Sequence, residues 1–537
     1  MTRTIPAVLS EIAREAATRF GSRPVVVAPD GVLTYAELDQ RADELAAGLS
    51  HRGIAESDVL ALVVPSGGDW LVAAVATARL GAVFAGISTA LTAHERAALV
   101  DLISPTLTLV DPSLVDGLPL RAEIAILQPG TRGTALAGPP GATPRTPVVA
   151  DDDRPAVICF TSGTTGRAKA ATFRGRQLRA IQSIDLGPGA EDRWGGGSPM
   201  LASTQFAHVG MSTKVPWYLR TGATLHVMAR WRADDALRLI AEHHMPTIGV
   251  VAPQLALMLR SPVMDELDLS SVQAIIAGGA ASPPALVHEA RQRLRAAYSI
   301  RYSSTECGGV GIATAFDAPD EEVLATIGRP RPGVEVRITD DQDQPVPDGI
   351  VGELQLRSGA VMDGYWNDPD ATRRALTEDR WLRTGDLARL DDEGRVVLAG
   401  RRTEMYIRGG YNVFPTEVEA VLTDNPAVSD VVIVPRPDEV MGEVGLALVV
   451  PRDPQRPPTL SELRAHAEGT LARHKLPEQL LLIDTLPLTT AQKVDRAAAA
   501  RLADRLLDGA GRGSGSQESR ISESDVQIRG RAADGNG

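Results

Sequence analysis

ICFTSGTTGRAKAA, residues 158–171, joins a short apolar run to a turn of very small residues. Ile158–Phe160 reads as a buried strand. It feeds into Thr161, Ser162, Gly163, Thr164, Thr165 and Gly166, which have little bulk and carry four hydroxyls. Gly163 and Gly166 let the main chain come close to a ligand. Successive backbone N–H groups and hydroxyl donors then form a concavity suited to phosphate oxygens, and Lys169 adds a point positive charge. The pattern is not a P-loop, because no Gly-Lys-Ser/Thr follows four spacer residues.

On both sides of this stretch, strands alternate with helices. Upstream, VVVAPDGVLTY (25–35) reads as a hairpin turning at Asp30-Gly31. Thr34 caps the helix that follows, with Glu37 as its capping-box partner. Strand 61–65, helix 69–79 and strand 82–87 come next, then a loop rich in Pro, Gly, Thr and Asp over 129–154. Downstream, strands at 248–253 and 274–280 end in Pro or small residues, and such strand ends are where ligands bind in folds of this kind. The alternation implies mostly parallel sheets covered by helices. Shorter strands at 334–338 and 352–357, with turns at Asp348-Gly349 and Glu393-Gly394, predict a small β subdomain over 328–400. After 404 a helix (416–425), two strands (428–437 and 445–451) and a helix (460–474) predict a small α+β domain. The fold class is therefore α/β: a large N-terminal domain of several subdomains over 1–402, a small α+β domain over 403–508, and a disordered Gly/Ser-rich tail over 509–537.

The composition excludes several function classes. The chain of 537 residues is too long for one core. Its net charge of −13 argues against nucleic acid as a partner, which needs a basic face. Two cysteines, Cys159 and Cys307, do not make a disulfide scaffold. Cys159 falls inside the apolar strand and reads as core rather than as a nucleophile. The N-terminal twenty residues carry charges throughout and read as an amphipathic helix rather than a signal peptide. The most apolar stretch, 71–88, is interrupted by Arg79 and predicts a buried helix and strand rather than a membrane span. A soluble, cytoplasmic protein is expected.

Taken together, these motifs resemble those of an acyl-CoA ligase of the adenylate-forming superfamily, the group that also holds luciferases and peptide-synthetase adenylation domains. The resemblance runs from about residue 10 to 500, with the motifs in the family's order. It implies an active site between a large and a small domain, with ATP/AMP, Mg²⁺ and coenzyme A as cofactors and co-substrates. Thr161 to Lys169 matches the family's phosphate-binding loop, and Gly278, Gly279 and Ala280 match the segment along adenine. YSSTE (302–306) matches the aromatic-Gly-x-Thr-Glu motif. By that match Tyr302 stacks on adenine, Ser303 takes the Gly position, Thr305 bonds the α-phosphate and Glu306 holds Mg²⁺. Asp386 in TGD matches the ribose-binding carboxylate, and Arg401 the arginine that contacts ribose or phosphate. His208 matches the histidine beside the carboxylate and the acyl entrance. Lys493 matches the lysine that bridges the acyl carboxylate and the α-phosphate. Gly409 and Gly410, in MYIRGGYNVFP (405–415), match the border of the CoA tunnel that forms when the small domain rotates.

The chain departs from the family's pattern at four places. Ala168 and Ala170 flank Lys169 where Pro and Gly are usual, Ser303 replaces Gly, Thr403 stands at the hinge, and Gln205 takes the place of Pro before His208. The reading is an acyl-CoA ligase for a hydrophobic acid, either a fatty acid or a bulky alicyclic or terpenoid-type acid, with GGGSPMLAS (195–203) and Gly210 as small lining residues. Two alternatives stay open. One is a specialist that only converts preformed acyl-AMP and CoA into acyl-CoA, supplied by a separate adenylating enzyme. The other is an acyl-AMP ligase that loads a carrier protein. A non-catalytic binding module fits poorly with Asp386, Arg401, Glu306 and Lys493 all present, and nothing in the residues points to luciferase-type oxygenation.

Overall fold

The computed structural model describes residues 9–119, 123–128, 136, 151–161, 168–190, 193–279, 282–402, 404–409, 411–468, 470–489, 494–512 and 529–530. Most of the 129–154 loop lies outside these residues, as do Ser162, Gly163, Thr164, Thr165, Gly166, Ala280, Thr403, Gly410 and Lys493.

The opening stretch becomes the antiparallel pair Pro155–Thr161 and Lys169–Arg174, with Thr161 opposite Lys169 on the last rung. Thr161 and Lys169, the two ends of the phosphate-type stretch, are thus held side by side. This hairpin belongs to a sheet ordered Gly364–Tyr365, Lys169–Arg174, Pro155–Thr161, Val83–Gly86, Val59–Val63, Leu107–Val110 and Ile124–Ile126. From Pro155–Thr161 to Ile124–Ile126 the neighbours are parallel. Their residues are apolar almost without interruption, as strands covered on both faces require. Cys159 is fully buried here, and burial pushes its thiol up to about 12.

A second sheet runs Thr247–Val250, Ala274–Gly278, Ala297–Tyr302, Ile312–Ala313 and Arg329–Pro330. Its first strand is shorter than the sequence predicts. It ends at Val250, and Ala252 and Pro253 open the helix Ala252–Leu259, because Pro suits a first helical turn as well as it suits a strand end. A third sheet holds Gly31–Thr34, Pro24–Ala28, Thr224–His226 and Pro199–Leu201. Its first two strands form the hairpin at Asp30-Gly31, and the Thr34–Glu37 capping box starts the next helix. The β subdomain is the antiparallel sheet Val334–Thr339, Gly352–Ser358, Leu382–Leu390 and Val396–Arg401.

After residue 404, Val428–Asp438 and Gly442–Pro451 pair antiparallel, and Gln479–Ile483 joins the latter in parallel. Leu460–Ala467 is a helix that stops seven residues before the expected end at 474, and a short turn at Arg473–Lys475 follows. The last helix, Arg496–Arg512, runs past 508 into the segment expected to be tail, and Arg529–Gly530 pairs with Gln479–Ile483. The rest of the predicted tail lies outside the described residues. Residues up to Val396 and residues from Tyr406 onward pack in separate buried clusters. Among the described residues no helix is long and apolar enough to cross a membrane.

Candidate active site

The site is assembled where strand ends of three sheets meet. At the base of the phosphate-type hairpin, Lys169 places its Nζ 5.0 Å from the centre of the Tyr365 ring, close enough for a cation–π contact. Tyr365 lies on the short strand beside Lys169–Arg174, opposite Ala171. Its hydroxyl donates to Glu306 Oε1 at 2.8 Å. Burial, then the adjacent Glu306 charge, pushes the Tyr365 phenol well up, so it stays a donor. The Glu306 carbonyl accepts from the Met362 N–H at 2.8 Å, which fixes the backbone that carries the carboxylate.

Four residues before Glu306, Tyr302 ends the strand Ala297–Tyr302, and its hydroxyl donates to Asp386 Oδ2. Asp386 is buried, and its other oxygen, Oδ1, accepts from Arg401 Nε at 2.8 Å. Asp386 and Arg401 face each other as register partners on neighbouring antiparallel strands. This placement follows from Thr384, whose hydroxyl donates to the Leu354 carbonyl at 2.7 Å, and from Gly385, which turns with φ +74° and donates its N–H to Glu353 at 3.1 Å. Burial, then Asp386, holds the Tyr302 phenol well above its ordinary value. Burial alone would lower Arg401, but Asp386 and Glu404 outweigh it and keep the guanidinium firmly charged.

The loop after Glu306 is a compact turn. Cys307 is buried, and its sulfur accepts from the Ser304 N–H at 3.0 Å. Gly308 and Gly309 both adopt positive φ. A Cβ at Gly309 would meet Val209 and Lys214, so this turn abuts the His208 segment. His208 is half-buried and precedes the short helix Val209–Ser212. Behind it, Phe206 packs edge-on against Trp70, and a Cβ on Gly86 would lie 2.8 Å from the Ala207 Cα.

The structure therefore forms two sets of contacts, Lys169–Tyr365–Glu306 and Tyr302–Asp386–Arg401, joined through the backbone from Tyr302 to Glu306, and sets Val209, next to His208, against the turn that follows Glu306. Thr161 sits on the closing rung of the hairpin, Ser303 and Thr305 lie half-buried between Tyr302 and Glu306, and Gly278 ends the neighbouring strand, with Gly279 just past it at φ +74°. Gly409 is exposed at the tip of the hairpin Tyr406–Arg408 and Tyr411–Val413, and its N–H donates to the Met441 carbonyl at 2.7 Å. Among the described residues it has no link to either set.

Several features carry no local sequence signal. Tyr365 joins Lys169 to Glu306 only through space. Ala170 replaces the family's Gly without facing the phosphate turn, because its methyl is buried in the core beside Phe160. Gln205 replaces Pro and is held by the Ser88 hydroxyl at 2.6 Å. Gly195 and Gly197 pack against the backbone of Thr221 and Gly222, so their small size makes room for main chain rather than for an acyl group.

Glu306 suits a phosphate-borne Mg²⁺. Oxygen ligands are what this hard cation takes, and one or two carboxylates plus substrate phosphates normally hold it. Among the described residues no cluster of three His, Cys, Asp or Glu could form a metal cage without substrate.

Two family models match the chain: AMP-binding enzyme over residues 13–366, and AMP-binding enzyme C-terminal domain over residues 417–493. Among curated relatives, the indoleacetate–CoA ligase of Aromatoleum aromaticum is 32% identical over 487 residues, spanning 87% of this chain and 92% of its own length. The 3-[(3aS,4S,7aS)-7a-methyl-1,5-dioxo-octahydro-1H-inden-4-yl]propanoyl:CoA ligase of Mycobacterium tuberculosis is 30% identical over 516 residues, spanning 92% and 98%. Among solved structures, ATP-bound MatB from Rhodopseudomonas palustris superposes with a TM-score of 0.82 at 25% identity, covering 92% of this chain and 98% of that one.

Proposed function

The chain belongs to the AMP-binding enzyme family, and we propose that it activates a hydrophobic carboxylic acid with ATP as the acyl-adenylate and then passes the acyl group to coenzyme A. At the coarser level it is an ATP-dependent acid–CoA ligase, the class shared by its curated relatives. The observation that supports the finer reading is a pair of contact sets, Lys169–Tyr365–Glu306 and Tyr302–Asp386–Arg401, whose members Tyr302 and Glu306 stand four residues apart at the end of one strand.

A carboxylate is a poor acyl donor because oxide is its leaving group. In the proposed first step it attacks the α-phosphorus of ATP, and pyrophosphate leaves. Such transfers depend on in-line positioning and charge neutralisation. Asp386 offers a buried bidentate acceptor for the two ribose hydroxyls, Arg401 and Tyr302 hold that carboxylate in place, and the Tyr302 ring provides a surface for adenine. Lys169 would neutralise the departing phosphates, and the hydroxyls of the 161–166 stretch would donate to them. Thr305 donates to the α-phosphate, and Lys493 bridges it to the acyl carboxylate. Glu306 would hold Mg²⁺, which supplies charge neutralisation on the phosphates. In the second step a thiol attacks the mixed anhydride and AMP leaves. A thiol of pKa near ~8.5 is a few per cent thiolate at neutral pH, so no dedicated base is required. Gly409 and Gly410 would then border the pantetheine path, and His208 the acyl entrance. A fatty acid or a bulky alicyclic acid fits this reading, in line with the fused-ring propanoate named for one relative.

The test is pyrophosphate release from ATP with a panel of hydrophobic acids, run beside thioester formation with CoA and with a carrier protein. Acid-dependent pyrophosphate release followed by acyl-CoA is expected. Thioester formed only from synthetic acyl-adenylate would instead identify the non-adenylating specialist, and acyl transfer only to the carrier would identify the acyl-AMP ligase.

A further inference from the structure

Tyr365 touches two side chains of opposite charge. Its hydroxyl, which lies in the plane of the ring, donates to Glu306 Oε1 at 2.8 Å. The face of the same ring carries the Lys169 ammonium, 5.0 Å from its centre. An aromatic ring has a positive edge and a negative face, so one side chain meets an anion and a cation in different directions. Among the described residues neither Lys169 nor Glu306 forms an ion pair, although both are half-buried. Unlike charges attract more strongly in such surroundings than in open water. The ring that separates them is 8% exposed and cannot be bypassed easily.

The main chain around Tyr365 is fixed on several sides. The Asp363 N–H donates to the Thr172 carbonyl at 2.8 Å and the Trp366 N–H to the Ala170 carbonyl at 2.7 Å, which ties the segment to the strand that begins at Lys169. Towards the other charge, the Met362 N–H donates to the Glu306 carbonyl at 2.8 Å. Residues 362–366 thus link the backbones that carry Lys169 and Glu306. The Tyr365 N–H itself donates to the Thr372 hydroxyl at 2.8 Å, and that hydroxyl donates to the Asp368 carbonyl at 2.8 Å. A Cβ on Gly364 would lie 2.8 Å from the Thr372 Cγ2, so the short strand sits tightly on the helix Pro369–Ala375. A ring held at this many points is a firm spacer.

From this arrangement we propose that Tyr365 is a positioning residue for the adenylation step, which keeps Lys169 and Glu306 from pairing with each other and so leaves the ammonium for the phosphates and the carboxylate for their Mg²⁺. The proposal rests on the acyl-CoA ligase reading and adds a residue to its first half-reaction. A direct Lys169–Glu306 pair would cancel both charges before ATP arrived. A ring face holds an ammonium less firmly than a carboxylate does, so Lys169 is stored there and released to phosphate oxygens. For Glu306 the hydroxyl fixes the orientation of the carboxylate, as hydrogen bonds to metal-binding carboxylates do. It occupies Oε1 and leaves Oε2 unbonded among the described residues.

The experiment compares the wild type with Y365F, which keeps the ring and loses the hydroxyl, and Y365L, which loses both. One reading is kcat/KM for MgATP in acid-dependent ATP–pyrophosphate exchange. Another is kcat/KM for thioester formation from synthetic acyl-adenylate and CoA. The third needs no turnover: the affinity for Mn²⁺ in the presence of α,β-methylene-ATP, followed by electron paramagnetic resonance. Y365F is expected to bind Mn²⁺ about tenfold more weakly. Its exchange activity should fall about tenfold or more, with thioester formation within about twofold of wild type. Y365L should lose more exchange activity than Y365F, because Lys169 then reaches Glu306. Thermal midpoints check folding. T372V keeps the Tyr365 side chain but removes the acceptor of its N–H; it should show the same split in milder form, and it carries the test if the Tyr365 variants do not fold. Unchanged Mn²⁺ affinity, equal losses in the two half-reactions, or a Y365L no worse than Y365F would overturn the proposal and leave the ligase reading standing. A wild type without acid-dependent exchange would overturn the adenylation reading and this proposal with it.

Discussion

On the proposed reading the nucleotide side of the site depends on Asp386, whose buried carboxylate receives both the Tyr302 hydroxyl and the Arg401 guanidinium. D386N keeps the shape but removes the charge that both donors satisfy. Hydrogen bonds to charged groups are worth roughly 1.5–3 kcal/mol, so kcat/KM for ATP is expected to fall about 10- to 100-fold, read by ATP–pyrophosphate exchange. Tyr302→Phe, which removes one donor and keeps the ring, should cost less than D386N. An Asp386 variant with unchanged use of ATP would remove the ribose role. The meeting of Tyr302 with Asp386 was legible in the sequence as a candidate site because TGD and YSSTE are contiguous strings. Tyr365 was not legible, since its part is defined by Lys169 on one side and Glu306 on the other, far apart in the chain.

At the scale of elements, two close approaches are open to test. The strand Val83–Gly86 ends against the backbone of Ala207, and a methyl at Gly86 would meet the Ala207 Cα at 2.8 Å. Gly86→Ala is therefore expected to displace the neighbouring His208 segment and raise KM for the acid severalfold, with KM for ATP less affected. Steady-state kinetics with each substrate varied in turn checks this. The second lies on the strand Thr224–His226, where His226 is 4% exposed and its ring sits 3.9 Å from that of His243. Burial, then His243, lowers His226 from 6.5 to about 4. Between these values the unfolded chain binds the proton and the folded one does not, so stability falls as pH drops from about 6.5 towards about 4. The loss is at most about 3 kcal/mol from this group. His226→Phe should flatten the pH dependence of the denaturant midpoint in that window, and an unchanged slope would reject the assignment. Local rules gave these elements well where the signal was local: the hairpin at Asp30-Gly31 and the Thr34–Glu37 box are in place. They failed where one residue suits two structures. Pro253 fits a strand end and a first helical turn alike, and packing around Leu255 and Met258, both buried, decided for the helix.

For the whole molecule, the division of the interior matters most. No described buried cluster takes residues from both sides of the hinge. Contacts across the two sides include a polar, partly exposed one, where Arg260 donates to the Ser429 hydroxyl at 3.2 Å and lies 4.0 Å from Asp430, and the packing of Phe414 and Thr416 against Gly400. Glu404, just past the hinge, pairs instead with Arg496 at 2.9 Å, tying that end of the connection to the small side. Interfaces of this kind permit relative motion. Limited trypsin digestion is expected to cut first after Arg401 or Arg402, and ATP with a productive acid should slow that cut. First cleavage elsewhere would place the weak point in a different segment. The amino-acid pattern marked this division through the change of element spacing after 404, but not the extent of the last helix, whose Ala-rich run continues to Arg512.

Separate interiors also bear on inheritance. A substitution that reshapes the packing of one lobe leaves the other lobe's packing untouched, so the two can drift at different rates, and one can be grafted from a relative without opening either core. What a graft must preserve is small: the few side chains that meet across the seam, Phe414 against Gly400 among them, and the single strand that carries Arg401 up to it.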